Sequence, residues 1–304
     1  MTGPAPAGPD RGSTRGDPED PLEVRLSALV REWPELGRAA EVYRVTLPLL
    51  RSGGPIAAPI TLTEEQAQTK LSTGEFLLHG AALVFDHSAA RELLLGLARN
   101  LEEVGVVGMS PIRSALEGDR LIPEELLGHV SEEDYPFLAA RAEEQALDAP
   151  LLWTLTQSAL KPALRAWCDE LAPLVYTAGE WENACCFICG ASPSLGELQG
   201  GEQAKHLRCG QCGADWLIRR LRCVYCGNED PSLLGILSPE GRRENVRVEV
   251  CDKCHGYLKV VARFAPASPE ELAVEDLSTL YLDCLAQERG YRRPLPRRDG
   301  RTKV

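Results

Sequence analysis

The sequence predicts an α+β protein: an all-α N-terminal domain, then two small metal modules built of short strands around cysteine pairs, then a C-terminal helix. Three observations carry that expectation. Apolar residues recur at helical spacing through most of the first 180 positions, four C-x-x-C pairs crowd into 186–254, and helical spacing returns after 268. A chain of 304 residues has room for two domains at about 100–200 residues each. The expected division is a disordered N-terminus (1–20), a helical domain (21–180), a first C-x-x-C module (181–217), a second (218–266), the C-terminal helix (267–291) and a basic mobile tail (292–304).

The first twenty residues are rich in Pro, Gly, Asp and Arg and hold no apolar segment, so they read as neither signal peptide nor membrane anchor. The first helix opens at Asp20-Pro21-Leu22-Glu23, an acid at the cap and proline in the first turn, and carries Leu22, Leu26, Leu29, Val30 and Trp33 on one stripe. A second, over about 35–51, carries Leu36, Ala40, Tyr43, Leu47 and Leu50 before Ser52-Gly53-Gly54-Pro55 breaks the chain. Thr63-Glu64-Glu65-Gln66 is a capping box, and Ala90, Leu93, Leu94, Leu97 and Leu101 form the apolar face of a helix over 88–101. Short helices are expected from Ser110 and Ser131. A longer one over 151–175 holds Trp153, Leu160, Leu164 and Trp167, with Pro162 expected to kink or divide it. Beyond Trp181, strands are expected at 204–209, 214–223, 245–251 and 257–264. Leu272, Val274, Leu277, Leu280 and Leu285 then mark a helix from 268 to about 289.

The chemistry lies in the pairs Cys186/Cys189, Cys209/Cys212, Cys223/Cys226 and Cys251/Cys254. Two intervening residues let one tight turn aim both sulfurs at a point, and a glycine after the second cysteine supplies the positive φ that the turn needs. Gly190, Gly213 and Gly227 stand there, whereas the fourth pair has His255 in that place. Two facing turns make a tetrahedral S₄ site suited to zinc or to a single iron, so four turns make two closed sites. Sequential pairing leaves a hairpin-sized loop in each, and Cys185 is expected outside the ligand set. Metal coupling to folding would offset the shortage of large aliphatic residues in this half.

No nucleophile triad, phosphate-cradling loop or histidine spacing suited to metal appears; His79, His87 and His129 read as ordinary core or surface residues. The formal charge of −12 opposes general nucleic-acid binding, and no run of about eighteen apolar residues occurs that could span a bilayer. Three cysteines outside the pairs, Cys168, Cys185 and Cys284, point to a reducing compartment. Arg219, Arg220 and Arg222, with Lys205, His206 and Arg208, read either as a solvated strand face or as a docking surface for an acidic or backbone-presenting partner.

The strings Cys186-Phe-Ile-Cys-Gly-Ala-Ser-Pro193, Leu207-Arg-Cys-Gly-Gln-Cys-Gly-Ala-Asp-Trp216, Arg222-Cys-Val-Tyr-Cys-Gly227 and Val248-Glu-Val-Cys-Asp-Lys-Cys-His-Gly-Tyr-Leu-Lys259, with Asp276-Leu-Ser-Thr-Leu-Tyr-Leu-Asp283, resemble the FdhE family of formate dehydrogenase accessory proteins. The resemblance implies a cytoplasmic, non-enzymatic maturation factor with a helical domain and two rubredoxin-like (zinc-ribbon-like) modules. It implies iron, with zinc the alternative, and the catalytic subunit of a respiratory formate dehydrogenase as partner before export. Carried onto this chain, its metal ligands are Cys186, Cys189, Cys209, Cys212, Cys223, Cys226, Cys251 and Cys254. Phenylalanine at 187, where the family commonly has proline, and Cys185 depart from the pattern without removing a ligand. A rubredoxin-like electron carrier and a zinc-ribbon nucleic-acid binder are the alternative readings, and self-association is left open.

Overall fold

The computed structural model describes residues 20–52, 56–178, 181–238 and 245–293. The N-terminus expected to be disordered, the Gly53-Gly54-Pro55 break and nearly all of the basic tail lie outside the described residues.

Helix α1 (Pro21–Glu32) is capped by Asp20, whose carboxylate accepts from the Leu22 N–H at 3.0 Å, and buries Leu22, Leu26 and Leu29. Burial of each such leucine stabilises by roughly 1.5–3 kcal/mol relative to exposure. A 3-10 turn (Pro34–Leu36) leads into α2 (Gly37–Ser52), and the Thr63 capping box opens α3 (Glu64–Ser72). Helix α4 (His87–Glu103) buries the predicted stripe from Ala90 to Leu101. Helix α5 (Met109–Glu117) begins one residue before the expected Ser110, but the next segment departs from expectation: α6 (Pro123–Ser131) and α7 (Tyr135–Glu144) follow, so Ser131 ends a helix. Asp134, accepting from the Phe137 N–H, is the cap that starts α7. Helix α8 (Ala149–Ala178) runs undivided through Pro162 and Pro173, and α2, α3, α4, α6 and α7 pack on it. The i−4 bond that each proline forfeits is outweighed by the packing around Ala159, Leu160, Ala163 and Leu164.

The cysteine half forms one sheet. Its strands are β1 (Pro193–Gln199), β2 (Ala204–Cys209), β3 (Asp215–Leu217), β4 (Leu234–Leu237), β5 (Val246–Cys251) and β6 (Gly256–Arg263), in the order β3-β2-β1-β6-β5-β4. All neighbours are antiparallel except β1 and β6, which pair in parallel with Gly196 opposite Val260. That parallel pair joins the two cysteine modules through a continuous ladder. Sequence reasoning missed β1 and β4, and the expected strand over 214–223 shrinks to β3. A Cβ at Gly196 would meet Leu258 at 3.1 Å and Val260 at 3.2 Å, which ties glycine there to the close approach of β6.

One face of the sheet is covered by α9 (Pro269–Ser278) and α10 (Leu280–Glu288), which replace the single C-terminal helix expected. The break is at Thr279, whose buried hydroxyl turns back to donate to the Glu275 carbonyl at 2.7 Å. Val246, Val248, Val250 and Tyr257 pack with Leu282 and Ala286 on this side. Charge fills the rest of the layer. Lys259, with a fully buried side chain, bridges Asp276 and Asp283 at 2.7 Å each, and Glu197 accepts from Arg208 and from Arg263.

The helical and cysteine halves share one apolar core. One cluster of buried side chains runs from Leu22 through α8 to Phe187, Ile188, Trp216 and Tyr225. Trp33 stacks on Tyr281 with ring centroids 5.3 Å apart, and Arg165 pairs with Glu270 at 2.7 Å, so α9 and α10 also rest on the helical half.

Candidate metal centre

Three of the four cysteine turns share one hydrogen-bond frame. The N–H of the first cysteine donates to the carbonyl five residues on (Ala191, Ala214, Asn228), and the glycine N–H returns to the first cysteine's carbonyl. Gly190, Gly213 and Gly227 have φ of 75°, 82° and 69°, the left-handed conformation that closes the turn. The fourth turn reaches the same conformation without glycine, with His255 at φ 55°. The C-terminal segment braces it: Arg292 donates to the His255 carbonyl at 2.8 Å, and the Tyr291 hydroxyl donates to Asp252 at 2.6 Å.

The turns face each other in sequential pairs. Cys186, Cys189, Cys209 and Cys212 form one group and Cys223, Cys226, Cys251 and Cys254 the other, the sulfurs of each lying within 4.8 Å of one another. Between facing turns, sulfurs lie 3.4 Å (Cys186 to Cys212) and 3.5 Å (Cys189 to Cys209) apart in the first, and 3.7 Å (Cys223 to Cys254, Cys226 to Cys251) in the second. A tetrahedron with metal–sulfur bonds near 2.3 Å has edges of about 3.8 Å, so the donor sets fit two tetrahedral metal ions. Backbone N–H groups of Ile188 and Gln211 point at the sulfurs of Cys186 and Cys209 at 3.4 Å, a polarity suited to thiolate.

The thiols press on one another. Hydrogen bonds from its three partner cysteines hold Cys209 well below the usual thiol range, while burial pushes Cys186 and Cys212 up. Four thiols packed this closely cannot all ionise without a cation, which is what a bound metal would supply. Cys185 is outside the group. It is buried, its carbonyl accepts from the Trp181 indole at 2.8 Å, and burial pushes its thiol up to about 11. Cys168 is buried on α8 and Cys284 is exposed on α10.

The first group is gripped by the helical half. Leu77 and Leu78, in the turn after α3, donate to the carbonyls of Phe187 and Ile188 at 2.7 and 3.0 Å, inside the first cysteine turn. No spacing in the sequence signals that clamp.

The basic residues flagged beside the cysteines divide. Lys205 and Arg208 are buried and committed to Glu249 and Glu197, and His206 pairs with Asp215, so none of the three is a docking residue. Arg219 and Arg222 reach Glu182 at 2.8 and 2.9 Å. Arg220 is exposed. The histidines of the helical half pair with acids near them, His79 with Glu75, His87 with Glu124 and His129 with Asp134.

Residues 221–297 match the family model described as FdhE, C-terminal domain. A protein of Aquifex aeolicus (strain VF5) named "Protein FdhE homolog" is 32% identical over 187 residues, which cover 55% of this chain and 64% of that protein. Over these segments the chain is similar to FdhE proteins. A homologue from Edwardsiella ictaluri (strain 93-146) is 27% identical over 209 residues, 67% of this chain and 63% of the homologue. One from Stutzerimonas stutzeri (strain A1501) is 34% identical over 118 residues, 38% of each. The chain thus spans less than two thirds of the length of these FdhE homologues. The crystal structure of the FdhE protein from Pseudomonas aeruginosa shares the fold, with a TM-score of 0.58 over 90% of this chain and 92% of that one at 22% identity. Among the described residues no helix is long and apolar enough to cross a membrane.

Proposed function

We propose that this chain is an FdhE-type, non-enzymatic accessory factor for the maturation of a respiratory formate dehydrogenase, binding that enzyme's catalytic subunit in the cytoplasm before export. The observation that carries the reading is the pair of closed four-thiol groups set in one sheet. Four protein ligands leave no coordination position for a substrate, so such sites act by holding shape or by exchanging electrons. Cys186, Cys189, Cys209 and Cys212 would hold one ion and Cys223, Cys226, Cys251 and Cys254 the other, iron by family resemblance and zinc as the alternative. When bound, the metal ties the two turns of each module together and, as iron, changes oxidation state with little rearrangement. The modules, with boundaries near 181–217 and 218–266, present a rigid surface to the partner while the helical half supports the first of them.

The test is a tagged-chain pull-down from formate-grown cells, with metal analysis of the same preparation. Formate dehydrogenase catalytic subunit and about two metal ions per chain are the expected result. Absence of the enzyme from a metal-replete preparation would overturn the reading. A reversible colour change on reduction would favour electron transfer over a purely structural role.

A further inference from the structure

Where the turn of Cys223 and Cys226 folds over the sheet, it leaves a cavity of about 270 Å³. The floor is the sheet face opposite α10. Leu234 pairs with Cys251, and Ile236 with Glu249, so these β4 side chains share that face with Leu258. Leu221 and Val224 form the wall. Leu221 is 79% exposed and Ile236 59%, so two large aliphatic side chains stand in solvent at the mouth.

The rim is basic although the whole chain carries −12. Arg220, Arg222 and Arg247, together with the buried Lys205 of the lining, meet one lining carboxylate, Glu249. Lys205 and Arg247 share that carboxylate and Arg222 is held by Glu182, while Arg220 has no acidic partner among the described residues. Beside the cavity, β4 is the last strand of the sheet, with no strand on its outer side among the described residues. Cavities that hold small molecules commonly run from about 300 to 1,000 Å³, so this one is better matched to a single bulky side chain.

We propose that the cavity and the free edge of β4 receive an extended segment of a partner protein, seating one bulky apolar side chain between Leu221 and Ile236 and placing flanking Asp or Glu carboxylates against Arg220 and Arg247. Strand addition satisfies the open edge, the cavity removes Leu221 and Ile236 from water, and the rim selects acidic flanks. Nucleic acid would satisfy the arginines and leave both aliphatic side chains exposed. The inference rests on the reading of the chain as a binding factor and names the face that binds.

The probe is a fluorescein-labelled peptide with a Leu-Phe core between Asp-Glu pairs, followed by fluorescence anisotropy on the metal-loaded full chain. Lysine-flanked and alanine-core versions serve as comparisons. The acidic apolar peptide should bind and weaken with salt, and the other two should not bind. Arg220→Glu should weaken binding about tenfold or more, and Leu221→Asp should abolish it. Both positions are exposed, and Ile236→Asp provides a second apolar variant should Leu221→Asp disturb the turn; circular dichroism and metal content verify the fold. No binding by the native chain, or binding unchanged in all three variants, would overturn the proposal. A concentration-dependent dimer broken by Leu221→Asp, with no peptide binding, would assign the face to a second copy and equally overturn it. Peptide binding by a chain that never co-purifies with formate dehydrogenase would refute the choice of partner and leave the groove standing. Co-purification undiminished in variants that ignore the peptide would refute the groove alone.

Discussion

The ring of Phe76 occupies the space that any side chain at Gly190 would need: a Cβ built there lies 2.6 Å from the nearest ring carbon. Phe76 belongs to the turn after α3, and Gly190 closes the first cysteine turn at φ 75°. Gly190→Ala therefore meets both backbone strain and overlap with a ring that is itself buried, and should cost about 2–4 kcal/mol. Gly80→Ala provides the comparison, because Gly80 also has positive φ but nothing within 4 Å. It should cost only about 1 kcal/mol. Thermal melts of the two variants followed by circular dichroism give the difference. Equal losses would show that the Phe76 contact contributes nothing.

Metal content should divide by cysteine group. The double variant Cys186→Ser/Cys189→Ser should lose one ion per chain, Cys223→Ser/Cys226→Ser the other, and Cys185→Ser neither. Because Leu77 and Leu78 of the helical half hydrogen-bond to the carbonyls of Phe187 and Ile188 inside the first cysteine turn, loss of the first ion should also lower the melting of the helices more than loss of the second. Elemental analysis beside far-ultraviolet circular dichroism measures both effects.

Lys259 is the buried cation between Asp276 and Asp283. Lys259→Met leaves two carboxylates with Arg293 as the remaining cation, and should cost roughly 3–5 kcal/mol, since breaking a buried pair strands a charge. Adding Asp283→Leu to Lys259→Met should restore part of that stability. Urea unfolding of the single and double variants reads the coupling, and a double variant no more stable than the single one would count against it.

Stability should fall on the acid side. Burial alone would raise the Asp276 carboxyl, but Lys259 and Arg293 overcome it and hold the group below its ordinary value; Lys205 and Arg247 do the same for half-buried Glu249. The unfolded chain takes up these protons at about pH 4, while the folded chain still excludes them. Their stabilisation is therefore complete above about pH 4 and is lost as pH drops through the lower folded values. The urea midpoint should drop below about pH 4, and less steeply in Asp276→Asn. An equal slope in native and variant chains would remove Asp276 from the account.

The sequence by itself determined the parts whose signal is local. The C-x-x-C spacing and the glycines at 190, 213 and 227 specify three of the four cysteine turns through backbone conformation alone, and the leucine stripes of α1 and α4 specify those helices by period. What lies between elements was decided only in the tertiary structure. Strand β1 reads poorly because Ser194, Gly196 and Glu197 are weak strand formers, and it exists because β2 and β6 supply its hydrogen bonds on both sides. Lys205, Arg208 and Lys259 look like surface residues along the chain. They become interior ones because Glu249, Glu197, Asp276 and Asp283, from 11 to 44 residues away, fold against them and supply the opposite charge that burial demands. The grip of Leu77 and Leu78 on the first cysteine turn is made of backbone hydrogen bonds, which any side chain permits, so no residue pattern announces that the helical half and the first four-cysteine group share one core.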